Sequence, residues 1–338
     1  MGIAEGAAPL EVAEIVWRHG WNATALQTLD PGYSYFTRGD GCVAYVETRG
    51  KAWVAAGAPI AREDRLGKVG EAFMEAAREA GRRCCFFATE QRFLRQVERK
   101  LDSLIVGEQP MWDPSKWDEK LRRSPSLREQ LRRARAKGVH VRQLGAEEER
   151  GRLLPKLREL TARWLATKGM APMGFLVRVF PESPHRRCFV AIRDDSVVAF
   201  ALAVPVPGRN GWFLENLVRD PGAPNGTTEL LVDAVMRWAA EKGSRWFTMG
   251  LAPLAGDVNP CLVALKHLAA VLYDFEGLRS YKAKLLPDDW HPISLAFPPE
   301  QGAWISLVDA LGAFAPGGFL PFGLRTIRRR IALPSRAA

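Results

Sequence analysis

Short apolar runs alternate with amphipathic stretches along most of the chain. Residues 42–46 (CVAYV) and 52–56 (AWVAA) are β-type runs on either side of a turn containing Gly50, which predicts a hairpin. Val69, Phe73, Ala76, Ala77 and Ala80 recur at helical spacing, and Gly81 stands where a helix end places glycine. The run 84–88 (CCFFA) predicts a buried strand, 92–101 a short helix and 103–107 another strand. Later, 147–168 predicts a helix, 188–192 and 197–204 two strands about a turn at Asp194-Asp195, and 211–218 a third. A helix over 227–242, a strand over 245–249, a helix over 260–271 and a strand over 290–296 close the series. The order hairpin, helix, strand, helix occurs twice. It predicts an α/β (α+β) fold, mixed sheets flanked by helices, with an internal duplication that leaves no repeated sequence.

The 338 residues suit two domains. We expect an N-terminal unit at 1–118, a basic interdomain helix at 119–142, a second unit at 143–299 and a tail at 300–338. In the connecting helix, Ser126 and Glu129 have capping-box spacing and Gly138 is placed to end it. Leu127, Leu131 and Ala134 form an apolar stripe, while Arg128, Arg132 and Arg135, flanked by Arg133 and Lys137, form a basic one.

Charge gives this helix its interest. Lys and Arg number 48 against 38 Asp and Glu, a formal charge of +10. Residues 120–142 hold nine of the basic residues and one acid, a local +8. That concentration points to a polyanion such as RNA, DNA or an anionic membrane.

The hydrophobic share of 47% and charged share of 25% exclude a disordered chain. Five cysteines (42, 84, 85, 188, 261) show no C-x-x-C spacing, and five histidines no ligand spacing, so neither disulfides nor a metal site is expected. No window approaches 18 uninterrupted apolar residues and no signal peptide is evident, so a cytoplasmic protein is expected.

Two blocks could carry chemistry. Residues 215–231 (ENLVRDPGAPNGTTELL) place a Gly/Asn loop between a strand and a helix N-terminus, where free N–H groups suit an anion or a carbonyl oxygen. Arg219 and Gly222 fit part of an acetyl-CoA phosphate loop, but Pro224 stands where Gly or Ala is needed and offers no N–H. A plain turn before a surface helix remains an equal reading. In 273–298, Glu276, Arg279, Lys282 and Lys284 interleave with Tyr273, Phe275 and Tyr281; on spacing alone they fit a solvated helix face or a salt bridge.

The residues nevertheless resemble the catalytic C-terminal domain of the bacterial lysylphosphatidylglycerol synthase (phosphatidylglycerol lysyltransferase) family, also called multiple peptide resistance factor. The similarity is carried by PMGF (172–175), LVRDPGAPNGT (217–227), FTMGLAPLAG (247–256) and YDFEGLRSYKAKLLPDDWHP (273–292), with weaker matches in KAWVAAGAPI (51–60) and VGEQPMWDP (106–114). The resemblance implies two tandem GNAT-like acyltransferase domains joined by the basic helix. It also implies transfer of an aminoacyl group from aminoacyl-tRNA to the headgroup of an anionic membrane lipid, with aminoacyl-tRNA as co-substrate and no cofactor. Arg219, Lys282 and Lys284 then become oxyanion or phosphate partners, and Glu276 or Glu215 orients the nucleophile or the amine. Asn216 stands where the family commonly has the acid of a D-x-x-R pattern. Asn225, Gly226, Gly250, Arg279 and Tyr281 would contact substrate, and Arg128, Arg132, Arg133, Arg135 and Lys137 the tRNA. The family's catalytic domain usually follows a polytopic membrane domain. Without one in this sequence, a peripheral protein at the inner face of the membrane is expected. An acyl-CoA N-acyltransferase and a non-catalytic RNA- or membrane-binding protein of the same fold are the alternatives.

The tail adds a membrane feature. Trp304, Leu307, Val308 and Leu311 share a helical face, and Phe314, Phe319 and Phe322 precede Arg325, Arg328, Arg329 and Arg330. Aromatics beside a basic cluster suit an anionic interface, and packing over the second unit is the even alternative.

Overall fold

The computed structural model describes residues 8–145, 147–180, 185–255 and 274–332, with side chains left aside at 147–150 and 331–332. The expected helix at 260–271 lies outside these residues, as do Cys261, His267 and Tyr273.

The first half contains helix α1 (Leu10–His19), strands β1 (Ser34–Arg38), β2 (Gly41–Glu47) and β3 (Ala52–Ala56), helix α2 (Leu66–Glu79), β4 (Arg83–Thr89), α3 (Gln91–Val97) and β5 (Asp102–Trp112). Helices α4 (Trp117–Arg123) and α5 (Pro125–Ala136) lead into β6 (His140–Gln143) and α6 (Glu147–Ala166). The second half has β7 (Arg187–Arg193), β8 (Ser196–Val206), β9 (Gly211–Arg219), α7 (Thr227–Glu241), β10 (Trp246–Thr248), the two-residue β11 (Ala252–Pro253), α8 (Phe275–Lys284) and β12 (Asp289–Phe297). Helices α9 (Ala303–Phe314) and α10 (Phe319–Ala332) follow.

The strands form one mixed sheet in the order β1-β2-β3-β4-β12-β5-β10-β9-β8-β7-β6, with β11 on β5. Apart from β6 and β11, the order is a palindrome of two equivalent sets. β1 to β4 correspond to β7 to β10, and β12 corresponds to β5. The directions agree: β1–β2 and β7–β8 are antiparallel, β3–β4 and β9–β10 parallel, β4–β12 and β10–β5 antiparallel. The fold is thus duplicated, and each half hands its last strand to the other. The strand expected to finish the second unit lies between β4 and β5 of the first, paired with β5 over its whole length.

Boundaries moved where local chemistry outweighed the apolar pattern. Ser126 is not the cap of α5. Ser124 is, its hydroxyl accepting from Leu127 N at 3.3 Å, with Pro125 as first helical residue, and Glu129 pairs forward with Arg132 and Arg133. Gly138 (φ +77) ends that helix as expected. β5 continues beyond 107 to Trp112 because β12 and β10 pair with its extension. The apolar stripe Leu127, Leu131 and Ala134 packs into the core shared with α7 and β8. Cys42, Cys84, Cys85 and Cys188 are all buried.

Candidate active site

The two equivalent places where a parallel strand pair ends differ in content among the described residues. In the first half, the segment before β1 fills the place beside β3. Thr24 Oγ1 donates to Ala56 O at 3.3 Å and Asn22 Nδ2 to Ala58 O at 2.9 Å. Gly57 (φ +98) has no room for a Cβ against those two side chains. Arg92 and Arg209 each stack on Trp21 at 4.3 Å, and Arg209 is paired with Glu90. The backbone groups there are taken.

In the second half, β9 runs on to Arg219 while the chain after β10 leaves it at Thr248. A β-bulge sets what β9 presents. Leu202 faces Asn216 and Ala203 faces Leu214, so Glu215 is the extra residue. The bulge resets the alternation, and Leu214, Leu217 and Arg219 share the face packed by α7, whereas Val218 lies on the opposite face.

Arg219 is half-buried, and its guanidinium makes no ion pair or hydrogen bond among the described residues. Within reach of its charge lies the buried Tyr281 hydroxyl, which makes no hydrogen bond of good geometry and has the Thr228 hydroxyl in contact. Burial pushes the Tyr281 pKa up and Glu229 adds to this, while contact with the Thr228 hydroxyl and the Arg219 charge oppose it. Glu229, in the first turn of α7, is buried; it accepts from Lys284 Nζ at 2.8 Å and from Thr228 Oγ1 at 3.0 Å. The site therefore brings together one uncompensated arginine, one buried and weakly satisfied phenol and a carboxylate held between an ammonium and a hydroxyl.

Lys282 has another task. Gly250 and Leu251 leave the sheet and lose ladder partners for their carbonyls. Lys282 Nζ, buried, donates to both at 2.8 and 2.9 Å. Burial without a carboxylate lowers its pKa to about 7. It holds the diverging backbone in place, and its ammonium is already committed to protein carbonyls rather than to an oxyanion or phosphate. Gly250 (φ +70) is backed by the Phe213 ring where a Cβ would stand.

Other expected site residues lie elsewhere. Glu215 is not available as a base: Arg186 grips it at 2.6 and 2.9 Å and Gln27 donates to it at 2.8 Å. Arg186 also pairs with Asp30 at 2.7 Å, joining the halves through a buried triad. Burial opposes the Arg186 charge, but the two carboxylates outweigh it and raise its pKa. Asn216 ties down the segment before β7, accepting from Phe180 N at 2.6 Å and donating to Arg178 O at 3.3 Å. Arg279 is exposed, 3.4 Å from Glu108 and stacked over Trp290. Glu276 is exposed in the first turn of α8, and Asn225 is exposed in the loop before α7. Gly226 (φ +89) is buried under α5, whose Gln130 carbonyl occupies the place of a Cβ. Glu229 and Thr228 were not singled out in the sequence; an acid in the first turn after a Gly/Asn loop reads as helix-dipole compensation.

The basic helix is partly self-neutralised. Arg132 and Arg133 share Glu129, and Arg135 reaches the buried Asp233 at 2.9 Å. Arg128 caps the end of α4 through the carbonyls of Leu121 and Arg122. Arg122, Arg128, Arg135 and Arg237 nevertheless line, together with Asp118, a cleft of about 300 Å³ between α4, α5 and α7, where Arg237 pairs with Asp118 at 2.8 Å and Asp233 at 3.0 Å. Lys137 is exposed at the helix end. In the tail, Trp304, Phe319 and Arg328 are exposed, while Phe322 lies under Arg325 and Arg329 reaches the Leu165 carbonyl at 3.5 Å. Among the described residues no three His, Cys, Asp or Glu side chains are grouped as for a metal.

This architecture defines a mixed α/β protein of two strand-exchanged halves, one strand-pair end filled by its own chain and the other lined by polar groups. The chain belongs to the phosphatidylglycerol lysyltransferase C-terminal family, which it matches over residues 15–297. A phosphatidylglycerol lysyltransferase of Bacillus subtilis is 30% identical over 167 residues, which are 46% of this chain and 19% of that protein. The chain thus spans about a fifth of that relative's length. The structure of L-PGS from Bacillus licheniformis superposes with a TM-score of 0.77 at 23% identity, covering 96% of this chain and 100% of that one. A C-terminal domain from Agrobacterium fabrum, assigned to a lysylphosphatidylglycerol synthetase, gives a TM-score of 0.77 at 24% identity, covering 92% of this chain and 98% of that one.

Proposed function

We propose that this protein transfers an aminoacyl group from aminoacyl-tRNA to a hydroxyl on the headgroup of a phosphatidylglycerol-like lipid. The supporting observation is the unpaired, half-buried Arg219 within charge reach of the buried, weakly satisfied Tyr281 hydroxyl where β9 and β10 part. Transesterification needs donors that meet charge only as it develops. The lipid oxygen bonds to the ester carbonyl carbon, the carbonyl oxygen becomes an oxyanion, and Arg219 and Tyr281 donate to it. The bond to the ribose oxygen then breaks, and the lipid hydroxyl's proton ends on that oxygen. Glu229, held by Lys284 and Thr228, orients the amine of the aminoacyl group. The ester is already activated, so the step calls for no cofactor. Arg132, Arg133, Lys137 and the arginine-lined cleft offer the tRNA phosphates a surface.

The acyl-CoA alternative is disfavoured by the loop before α7. Pro224 supplies no N–H, and Gly226 is covered by α5, so pyrophosphate has no cradle there. The test is incubation of the purified protein with phosphatidylglycerol vesicles and a set of radiolabelled aminoacyl-tRNAs, beside labelled acetyl-CoA with amine acceptors. Label from at least one aminoacyl-tRNA should enter the lipid, and R219A and Y281F should lower the rate while keeping tRNA affinity. Transfer from acetyl-CoA alone would replace the proposal.

A further inference from the structure

Among the described residues, the α9–α10 pair leaves unpartnered an apolar face that the catalytic reading does not use. Helix α9 packs Leu307 and Ala310 on the sheet, and Asp309, the one acid of the pair, is buried against Arg83 at 2.8 Å. Its other side shows Trp304, 57% exposed, and Val308, 51% exposed. Helix α10 sends Thr326 Oγ1 inward to accept from Ala171 N at 3.2 Å and presents Leu320, Leu324 and Ile327, exposed by 82%, 58% and 56%. Those three follow i, i+4, i+7 spacing and form one stripe. Arg325 and Arg328 stand exposed beside it, and Arg49 approaches the break at Gly318.

No described helix is long and apolar enough to cross a membrane. The pair passes together by length and composition but is bent by 57°. A helix fixed to a sheet along one side lies on a bilayer rather than through it.

From this we infer that the outward face of α9 and α10 docks on an anionic lipid surface, its apolar stripe entering the interface and its arginines meeting the headgroups. Charge complementarity selects this occupant: large apolar side chains flanked by arginines, with no acid exposed on either helix, match an anionic bilayer. The inference rests on the proposed lipid acceptor only in that docking would bring the site to its substrate.

The test is flotation of the full chain with phosphatidylglycerol vesicles and with phosphatidylcholine vesicles, no aminoacyl donor present. Binding should favour phosphatidylglycerol and fall roughly fivefold for each arginine lost in R325E and R328E. It should fall by about tenfold or more in L320D/L324D/I327D, with urea unfolding unchanged because these side chains are exposed. Absence of flotation, or flotation indifferent to all these changes, overturns the inference. So does a dimer in light scattering that the triple variant abolishes, with no vesicle binding, which would assign the face to a second copy. Flotation without any aminoacyl transfer would sink the proposed activity and leave the docking face standing; transfer without flotation would do the reverse.

Discussion

Replacing Lys282 with Met tests what holds the backbone that leaves the sheet after β10. The ammonium is buried, bonded to two backbone carbonyls and unpaired with any acid, and its pKa falls from 10.5 to about 7. Below about pH 7 the folded and unfolded chains both carry the proton, and the full cost of burying the charge is present. Between 7 and 10.5 the unfolded chain binds a proton that the folded chain has released, so stability rises with pH across that window. The slope is about 1.4 kcal/mol per pH unit, which makes roughly 2–3 kcal/mol between pH 7 and 9. K282M lacks this titration and leaves the carbonyls of Gly250 and Leu251 without their donor. Urea unfolding of both proteins at the two pH values cancels every other titration in the difference. The stability advantage of the wild type over K282M should grow by that amount towards pH 9. Parallel pH profiles would refute the reasoning and show that Lys282 keeps its charge when folded.

Three further outcomes follow from the geometry. R186M strands Glu215 and Asp30 as buried carboxylates and should cost about 3–5 kcal/mol in urea unfolding. R186M/E215Q/D30N, which removes the stranded charges, should recover part of that loss. G226A forces a Cβ against the Gln130 carbonyl at φ +89 and should destabilise the protein by roughly 1–3 kcal/mol, read as a lower urea midpoint. R132A/R133A should weaken tRNA binding and flatten the plot of log K against log salt by about 0.7–0.9 per phosphate contact removed, with thermal unfolding little changed.

The duplication was legible because each half repeats a hairpin, a helix and a strand whose apolar runs are long enough to read. The strand exchange was not. Residues 290–296 look the same whether they pair with their own half or with β4 and β5, since partner choice is not written in alternation. The site was legible in part. Arg219, Tyr281, Lys282 and Lys284 fall in segments recognisable by resemblance, but their division of labour depends on geometry. A bulge that turns Arg219 away from Glu215, a backbone that sheds two carbonyls onto Lys282, and an arginine at 186 that captures Glu215 leave no local signature. Glu229 carries no signal of its own in the sequence, because a first-turn acid has an ordinary explanation and its pairing with Lys284 spans 55 residues.

The most direct measurement is the appearance of label in extracted lipid after the purified chain meets radiolabelled aminoacyl-tRNA and phosphatidylglycerol vesicles. The account predicts lipid-borne label from at least one aminoacyl-tRNA, formed more slowly by R219A while tRNA binding persists. Unlabelled lipid with every aminoacyl-tRNA, from protein that still binds tRNA and vesicles, would contradict it.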